Sequence, residues 1–272
     1  MPLISIDPDR CIKDGHCVAE CSPKIIEMGD DLPFIRAENE ERCIDCGHCV
    51  AVCPTEALTL KTLSPAECSP LDKSLNLSEE QATQFLRSRR SIRTYKNKSV
   101  DRETLQKLID LARYAPTGSN KQPVQWIIIQ DPADVQTVSG MVADWMRDII
   151  AQAPEVAKEM KFDTLVAAWE SGVDRICRNA PHLAFAFADQ SFPNAQTDCA
   201  IALSYLELFL PTVGLGGCWG GYTTFAAKSW QPLKEFINLP ENTECHGVMM
   251  MGYPRYQFHR MPTRREAPII WR

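Results

Sequence analysis

The sequence predicts an α+β protein built from two unlike parts, a small cysteine-rich module and a larger domain in which strands alternate with helices. Three observations predict it. A cysteine loop occurs twice in the first sixty or so residues, at 11–21 and again at 43–53. A proline- and serine-marked stretch with no hydrophobic period follows, from about residue 62 to 77. Beyond it, short apolar runs of strand length alternate with amphipathic segments of helical period. The expected organisation is a first domain at 1–62, a linker at 63–77 and a second domain at 78–272.

Residues 43–54 read C-I-D-C-G-H-C-V-A-V-C-P. Three cysteines at two-residue gaps, a fourth three residues later and then proline is the spacing of an iron–sulfur loop. Such clusters need soft thiolate ligands, and the short gaps wrap one backbone loop round one cluster. A structural zinc site is the alternative, but zinc usually takes two C-x-x-C pairs separated by a longer loop. Residues 11–21, C-I-K-D-G-H-C-V-A-E-C, repeat the run with changes only at its third, fourth and tenth positions. A repeated cluster loop implies two clusters related by a pseudo-two-fold axis. His16 and His48 hold equivalent places, which the repeat explains without a ligand role.

Over about sixty residues this stretch resembles the two-cluster bacterial ferredoxins. In them the fourth cysteine of each run serves the other cluster. The resemblance therefore implies Cys11, Cys17 and Cys53 at cluster I, and Cys43, Cys46, Cys49 and Cys21 at cluster II. Two departures stand out. Asp14 occupies the second ligand position of the first run, and Ser22 separates Cys21 from Pro23. A carboxylate is a harder ligand than a thiolate. Cluster I is then a 4Fe-4S cluster with Asp14 or a solvent oxygen on one iron, or a 3Fe-4S cluster lacking that iron. The plainer reading makes Asp14 a solvated loop residue. Cluster II is expected to be a 4Fe-4S cluster.

Seven of the twelve cysteines lie in the two runs. The remaining five, Cys68, Cys177, Cys199, Cys218 and Cys245, are dispersed and read as free thiols rather than a disulfide framework. Residues 1–62 carry six Lys+Arg against twelve Asp+Glu, and the rest of the chain is balanced. This suits a basic redox partner, or simply solubility, and disfavours nucleic acid. The N-terminus lacks a basic segment followed by an apolar core, so no signal peptide is read there. Residues 200–221 are apolar but contain Glu207, Pro211 and several glycines, too broken a run to cross a bilayer. A cytoplasmic location and no membrane partner are expected.

In chain order, L-I-S-I-D and A-L-T-L-K bracket the first module as short strands. Ser78 opens a helix with the capping-box pattern S-E-E-Q. The basic run at 87–98 follows. Ser91 with Arg89, Arg90 and Arg93 near a helix end suits a phosphate better than nucleic acid. Leu105, Leu108, Ile109 and Ala112 mark an amphipathic helix ending at the turn-rich A-P-T-G-S-N-K-Q-P. V-Q-W-I-I-I-Q reads as a strand buried on both faces. A helix at about 134–151, a helical region at about 155–177, the strand H-L-A-F-A-F-A-D, a buried helix at about 197–211 and the strand H-G-V-M-M-M-G-Y-P complete the pattern.

The order of R-R-S-I-R, A-P-T-G-S-N-K-Q-P, G-L-G-G-C-W-G-G and G-Y-P followed by R-M-P-T-R-R resembles the nitroreductase flavoproteins, over about residues 78–272. The resemblance implies a mixed, mainly antiparallel sheet flanked by helices, and an intertwined homodimer with FMN at the subunit interface. It places Arg89, Arg90, Ser91 and Arg93 at the flavin phosphate and ring edge, with Arg264 reaching back and Arg260 and Arg265 assisting. Pro116, Thr117, Gly118, Asn120 and Gln122 would line one side of the flavin from the partner subunit. Gly220 and Gly221 would bring backbone N–H groups near the reactive ring nitrogen. For the glycines a plain turn is the alternative, and for the arginines a surface ion pair. Trp145, Trp169 and Tyr222 are candidates for a substrate wall, though large aromatics more often serve packing.

The expected activity is an FMN-dependent oxidoreductase. Electrons from an external low-potential donor would pass through the clusters to FMN and then to a small organic acceptor, such as a nitroaromatic, a quinone or an activated double bond. The alternatives are an electron-transfer subunit serving a protein partner, and a non-catalytic flavin or iron sensor. No G-x-G-x-x-G fingerprint for a dinucleotide occurs. In this family the cofactor carries the chemistry, so no side chain is named as a general acid.

Overall fold

The computed structural model describes residues 2–272. They form two compact units. One runs to Asn76 and includes Ser119–Lys121; the other holds Leu77–Gly118 and Gln122–Arg272.

The first unit contains, in order, β1 (Ile4–Ile6), α1 (His16–Glu20), β2 (Ile26–Met28), β3 (Pro33–Ile35), α2 (His48–Ala51) and β4 (Leu58–Leu60). β1 pairs antiparallel with β4, and β2 with β3. The repeat is visible in the backbone as well as in the letters. Lys13, Gly15 and Lys24 take positive φ, and so do their counterparts Asp45, Gly47 and Glu56. Gly15 and Gly47, at φ 72° and 70°, turn the chain directly into α1 and α2, a conformation only glycine adopts without steric cost. Ile25, Ile26, Val50, Leu58 and Leu60 pack together with Cys17, Cys21 and Cys49. The β2–β3 hairpin was not foreseen, since each strand has three residues and no alternation long enough to read.

The second unit begins with α3 (Glu79–Ser88), α4 (Arg102–Ala112), β5 (Gln125–Ile129), α5 (Pro132–Gln152), α6 (Pro154–Glu159) and α7 (Phe162–Glu170). It continues with β6 (His182–Asp189), α8 (Ala195–Phe209), β7 (Gly216–Trp219), α9 (Gly221–Ser229), α10 (Gln231–Phe236) and β8 (Thr243–Gly252). The capping box at α3 is present in both directions, Ser78 with Gln81. Asp101 caps α4 through the Thr104 N–H.

The sheet has the order β5-β6-β8-β7, antiparallel at each pairing. β6 shows why its apolar run is continuous. Leu183 and Phe185 face one core with Val138, Val142 and Met146 of α5. Ala184, Ala186 and Ala188 face the other, against Leu203 and Leu206 of α8 and Leu105 and Leu108 of α4. β5 departs from expectation. Its residues are half-buried or exposed, because it is the outer strand of this sheet and lacks a neighbour on one side. The helical region expected at 155–177 is two short helices broken at Lys161, which takes a left-handed conformation. Residues beyond α7 are held instead by Asp174, whose carboxylate accepts from Ser139 Oγ and from the N–H groups of Ile176, Cys177 and Asn179.

β7 was hidden in a stretch read as glycine-rich, and α9 and α10 follow it where no element was expected. Glycine weakens strand propensity, yet here it is required. A Cβ on Gly216 would collide with the Ile92 side chain, and one on Gly217 with Leu210 and Met249. The Ile92 N–H donates to Gly217 O at 2.8 Å, so this close approach fastens the R-R-S-I-R segment to the sheet. Cys177, Cys199, Cys218 and Cys245 are buried free thiols and Cys68 is half-buried. Among the described residues no helix is long and apolar enough to cross a membrane.

Candidate functional site

Two small cavities lie in the first unit. Cys21, Cys43, Cys46 and Cys49 line one. Cys11, Asp14, Cys17 and Cys53 line the other. Each cavity therefore takes three positions from one loop and the last cysteine of the other. The rest of each lining is mainly aliphatic, for example Ile25, Ile26 and Leu60 in one and Ile6, Ile12 and Leu58 in the other. Burial raises the pKa of the Cys17 and Cys43 thiols and pushes Cys49 up to about 11, with Cys46, Cys21 and Cys43 adding repulsion at Cys49. Cys53 is the exception. Burial raises its pKa, but N–H groups led by that of Ala57, at 3.2 Å, outweigh it and the net direction is down. Four thiols round one dry cavity suit a group that binds as thiolate salt and brings its own positive charge.

Asp14 stands where the second loop has Cys46. One carboxylate oxygen accepts the His16 N–H at 3.1 Å, and the other lies 3.2 Å from His16 Nδ1. The carboxylate thus faces both the cavity and the start of α1. Asn120, in the stretch grouped with this unit, donates its amide N–H to the carbonyls of Ile44, at 3.2 Å, and Asp45, at 2.8 Å. Both are in the loop after Cys43, so only the Asn120 Oδ1 is left to meet a flavin.

In the second unit the R-R-S-I-R segment leaves the C-terminal end of α3 and enters an open cavity of about 340 Å³. Arg89, Arg90, Glu207, Gly216 and Gly217 line it, with Tyr256 and Phe258 from the tail. Arg90 Nη1 donates to the carbonyls of Arg87 and Arg89 at 2.9 and 2.6 Å. Its Nε and Nη2 are buried with no acceptor. An unpaired buried guanidinium edge fits an oxyanion, which supplies the missing acceptors and the opposite charge. Arg89 is fixed by Glu207, Nη1 to Oε1 at 2.7 Å. Ser91 is half-buried. Arg93 is exposed.

Over residues 86–253 the chain matches the family model described as the nitroreductase family, more than half of its length. The chain belongs to the nitroreductase family. A second match, to the 4Fe-4S dicluster domain, covers residues 3–57. An NADH dehydrogenase of Thermus thermophilus is 25% identical over 68% of this chain and 92% of its own length. An iodotyrosine deiodinase of Thermotoga neapolitana is 22% identical over 62% and 86%. A Bacteroides fragilis structure, titled as a nitroreductase with bound FMN, superposes with a TM-score of 0.60 at 16% identity. That superposition covers 72% of this chain and all of that one, and it shows the shared fold. The protein is thus an oxidoreductase of this family with a dicluster domain at its N-terminus.

The remaining expected flavin contacts of this nitroreductase fold are distributed unevenly. The Gly220 N–H is already spent on Val248 O at 2.8 Å, so it has no donor to offer a ring nitrogen. Gly221 keeps one, since the first residue of α9 has no intrahelical acceptor, and a Cβ there would meet open space. Pro116 and Gln122 are exposed. Thr117 Oγ1 accepts the Gln122 N–H at 3.0 Å, and the Gly118 N–H donates to buried Asp198 at 3.2 Å, so the turn is braced from within. Arg260, Arg264 and Arg265 are exposed on the tail, beyond the tail residues that reach the arginine cavity.

Trp145, Trp169 and Tyr222 take the packing role that large aromatics more often serve. Trp145 and Phe162 lie 5.3 Å apart, Phe162 and Tyr222 6.0 Å, and Trp169 packs on the same core. They fill the space between α5, α7 and α9. Two residues were missed. Glu207 was noted only as an interruption of an apolar segment, although a carboxylate on a buried helix demands a partner and so signals one. Arg178, held at φ 60° by the Asp174 turn, adds its charge to that of Arg93 near Cys218. No local pattern marks it.

Proposed function

We propose that this chain is an iron–sulfur flavoprotein that accepts electrons from an external low-potential donor and reduces a small organic molecule. Nitroaromatics, quinones and activated double bonds are the acceptor classes that suit such a flavin. The observation that carries the reading is the coexistence, in one chain, of two thiol-lined cavities and an arginine cavity with unspent donors. Cys43, Cys46, Cys49 and Cys21 would hold a 4Fe-4S cluster. Cys11, Cys17 and Cys53 would hold the second, with Asp14 supplying an oxygen to one iron. Domains at 1–62 and 78–272, joined by 63–77, follow from the same reading.

FMN would be held by Arg89, Arg90 and Ser91 at its phosphate, with Arg93 and the tail arginines Arg260 and Arg264 adding charge. Thr117, Gly118 and Gln122 would border the ring. Gly221 would leave room and offer one N–H. When bound, the flavin supplies exchange of electrons singly or in pairs, which joins one-electron carriers to a two-electron acceptor. The side chains bind, orient and neutralise. A homodimer with the flavin at its interface fits the apolar residues exposed on the tail, including Tyr256, Phe258, Ile270 and Trp271.

The direct donor is the second point to test, because the Thermus thermophilus relative is named an NADH dehydrogenase while no dinucleotide fingerprint occurs here. Anaerobic purification with iron, sulfide and flavin quantified tests the cofactors. Stopped-flow reduction by a reduced ferredoxin, compared with NADH and NADPH, tests the donor. Faster bleaching of the flavin by ferredoxin is expected. A protein lacking both iron and flavin, which neither reconstitutes, would overturn the reading.

A further inference from the structure

Glu207 lies on the buried face of α8 with its side chain only 9% exposed, in a helix otherwise turned to the apolar core. An ionised carboxylate there needs donors, because a buried charge left unpaired is strongly destabilising. It has two, from different parts of the chain. Oε1 takes the Arg89 guanidinium at 2.7 Å, and Oε2 takes the indole N–H of Trp219 at 3.1 Å. Arg89 lies just past α3, and Trp219 closes β7 immediately before Gly220.

The contact with Arg89 uses one of its three guanidinium nitrogens, and Nε and Nη2 have no hydrogen-bond partner among the described residues, in the cavity that Arg90 also lines. A carboxylate repels an oxyanion, so Glu207 gains nothing for binding by its own charge. Its effect is geometric. A free arginine side chain samples many rotamers, and holding one nitrogen aims the others. The Trp219 bond joins that aim to the strand end that carries the glycine pair.

We propose that Glu207 is a positioning residue for the flavin phosphate, orienting Arg89 from behind while its second oxygen anchors Trp219. The proposal rests on the reading of Arg89 as a phosphate ligand.

The test uses the full chain with its clusters in place and its flavin removed. FMN and riboflavin are titrated by flavin fluorescence against wild type, Glu207→Gln, Arg89→Gln and the double variant. Riboflavin lacks the phosphate and so does not sense Arg89. Glu207→Gln is expected to weaken FMN by about tenfold and riboflavin by less than about twofold, the size of one charge-assisted contact. In the Arg89→Gln background the Glu207 change should add nothing. Glu207→Asp keeps the buried charge but draws it back from Arg89, so it should show the same selective loss and serves if the glutamine variant fails to fold. Equal losses for both flavins would make Glu207 a packing residue and overturn the proposal. So would unchanged FMN affinity, or additive losses in the double variant. If Arg89→Gln leaves the preference for FMN over riboflavin intact, the phosphate reading itself falls, and this proposal with it.

Discussion

The two units keep their shape by different means. In the first, Cys17, Cys21 and Cys49 are buried among its few aliphatic residues, so the residues facing the cavities are also its core. In the second, two large apolar clusters cover both faces of the sheet, and the arginine cavity opens at their edge, where Arg89 and Arg90 meet buried Glu207, Leu215, Gly216 and Gly217. A unit of fewer than about eighty residues is only marginally stabilised by its own core, whereas one of nearly two hundred buries a larger share of its surface. Loss of a bound group should therefore unfold the first unit and leave the second folded.

The largest effect that would break this comparison is iron removal. Chelation under reducing, oxygen-free conditions should unfold the first unit and leave the second intact. Hydrogen exchange would show the amides of β1 and β4 exchanging freely while those of β6 stay protected; protection at β4 after iron loss would refute the contrast. Next comes Asp14→Cys, which should give two four-iron clusters, about eight irons per chain, and remove any three-iron resonance signal. Unchanged iron content and spectra would return Asp14 to a loop role. Arg90→Ala should weaken FMN by roughly ten- to a hundredfold, the loss of charge-assisted bonds, with little change in melting temperature. A matching fall in stability would mean that the cavity is structural after all.

The smallest effect concerns acid. His182 accepts the Val100 N–H at Nε2 and is bonded through Nδ1 to Gln130 O, each at 2.8 Å, and burial lowers its pKa. Below the unfolded value of about 6.5 the unfolded chain takes up a proton that the folded chain refuses. Stability of the second unit should therefore fall with acid until the folded value is passed, by at most about 1.4 kcal/mol per pH unit. His182→Gln should flatten that slope in denaturant titrations between pH 7 and 5. An equal slope in the variant would assign the loss to other groups.

The sequence was most readable where local chemistry dictates structure. The cysteine spacing, the repeat, the cap at Ser78 and the apolar run of β6 all lie within a few residues of their cause. What was obscured depends on partners far along the chain. The glycines of β7 looked like a loop because the need for them comes from Ile92 and Leu210. β5 looked doubly buried because its letters do not reveal that it ends the sheet. Glu207 and Arg178 act across long sequence separations, and the Gly220 N–H was lost to Val248 in the same way.

Cys21 ends the first loop yet borders the second cavity, and Cys53 does the reverse. Neither chamber can be walled by its own loop alone. Damage to one loop, by oxygen or by a single substitution, would open both chambers together. Under iron shortage, loss of the bound group from one chamber should loosen the other as well.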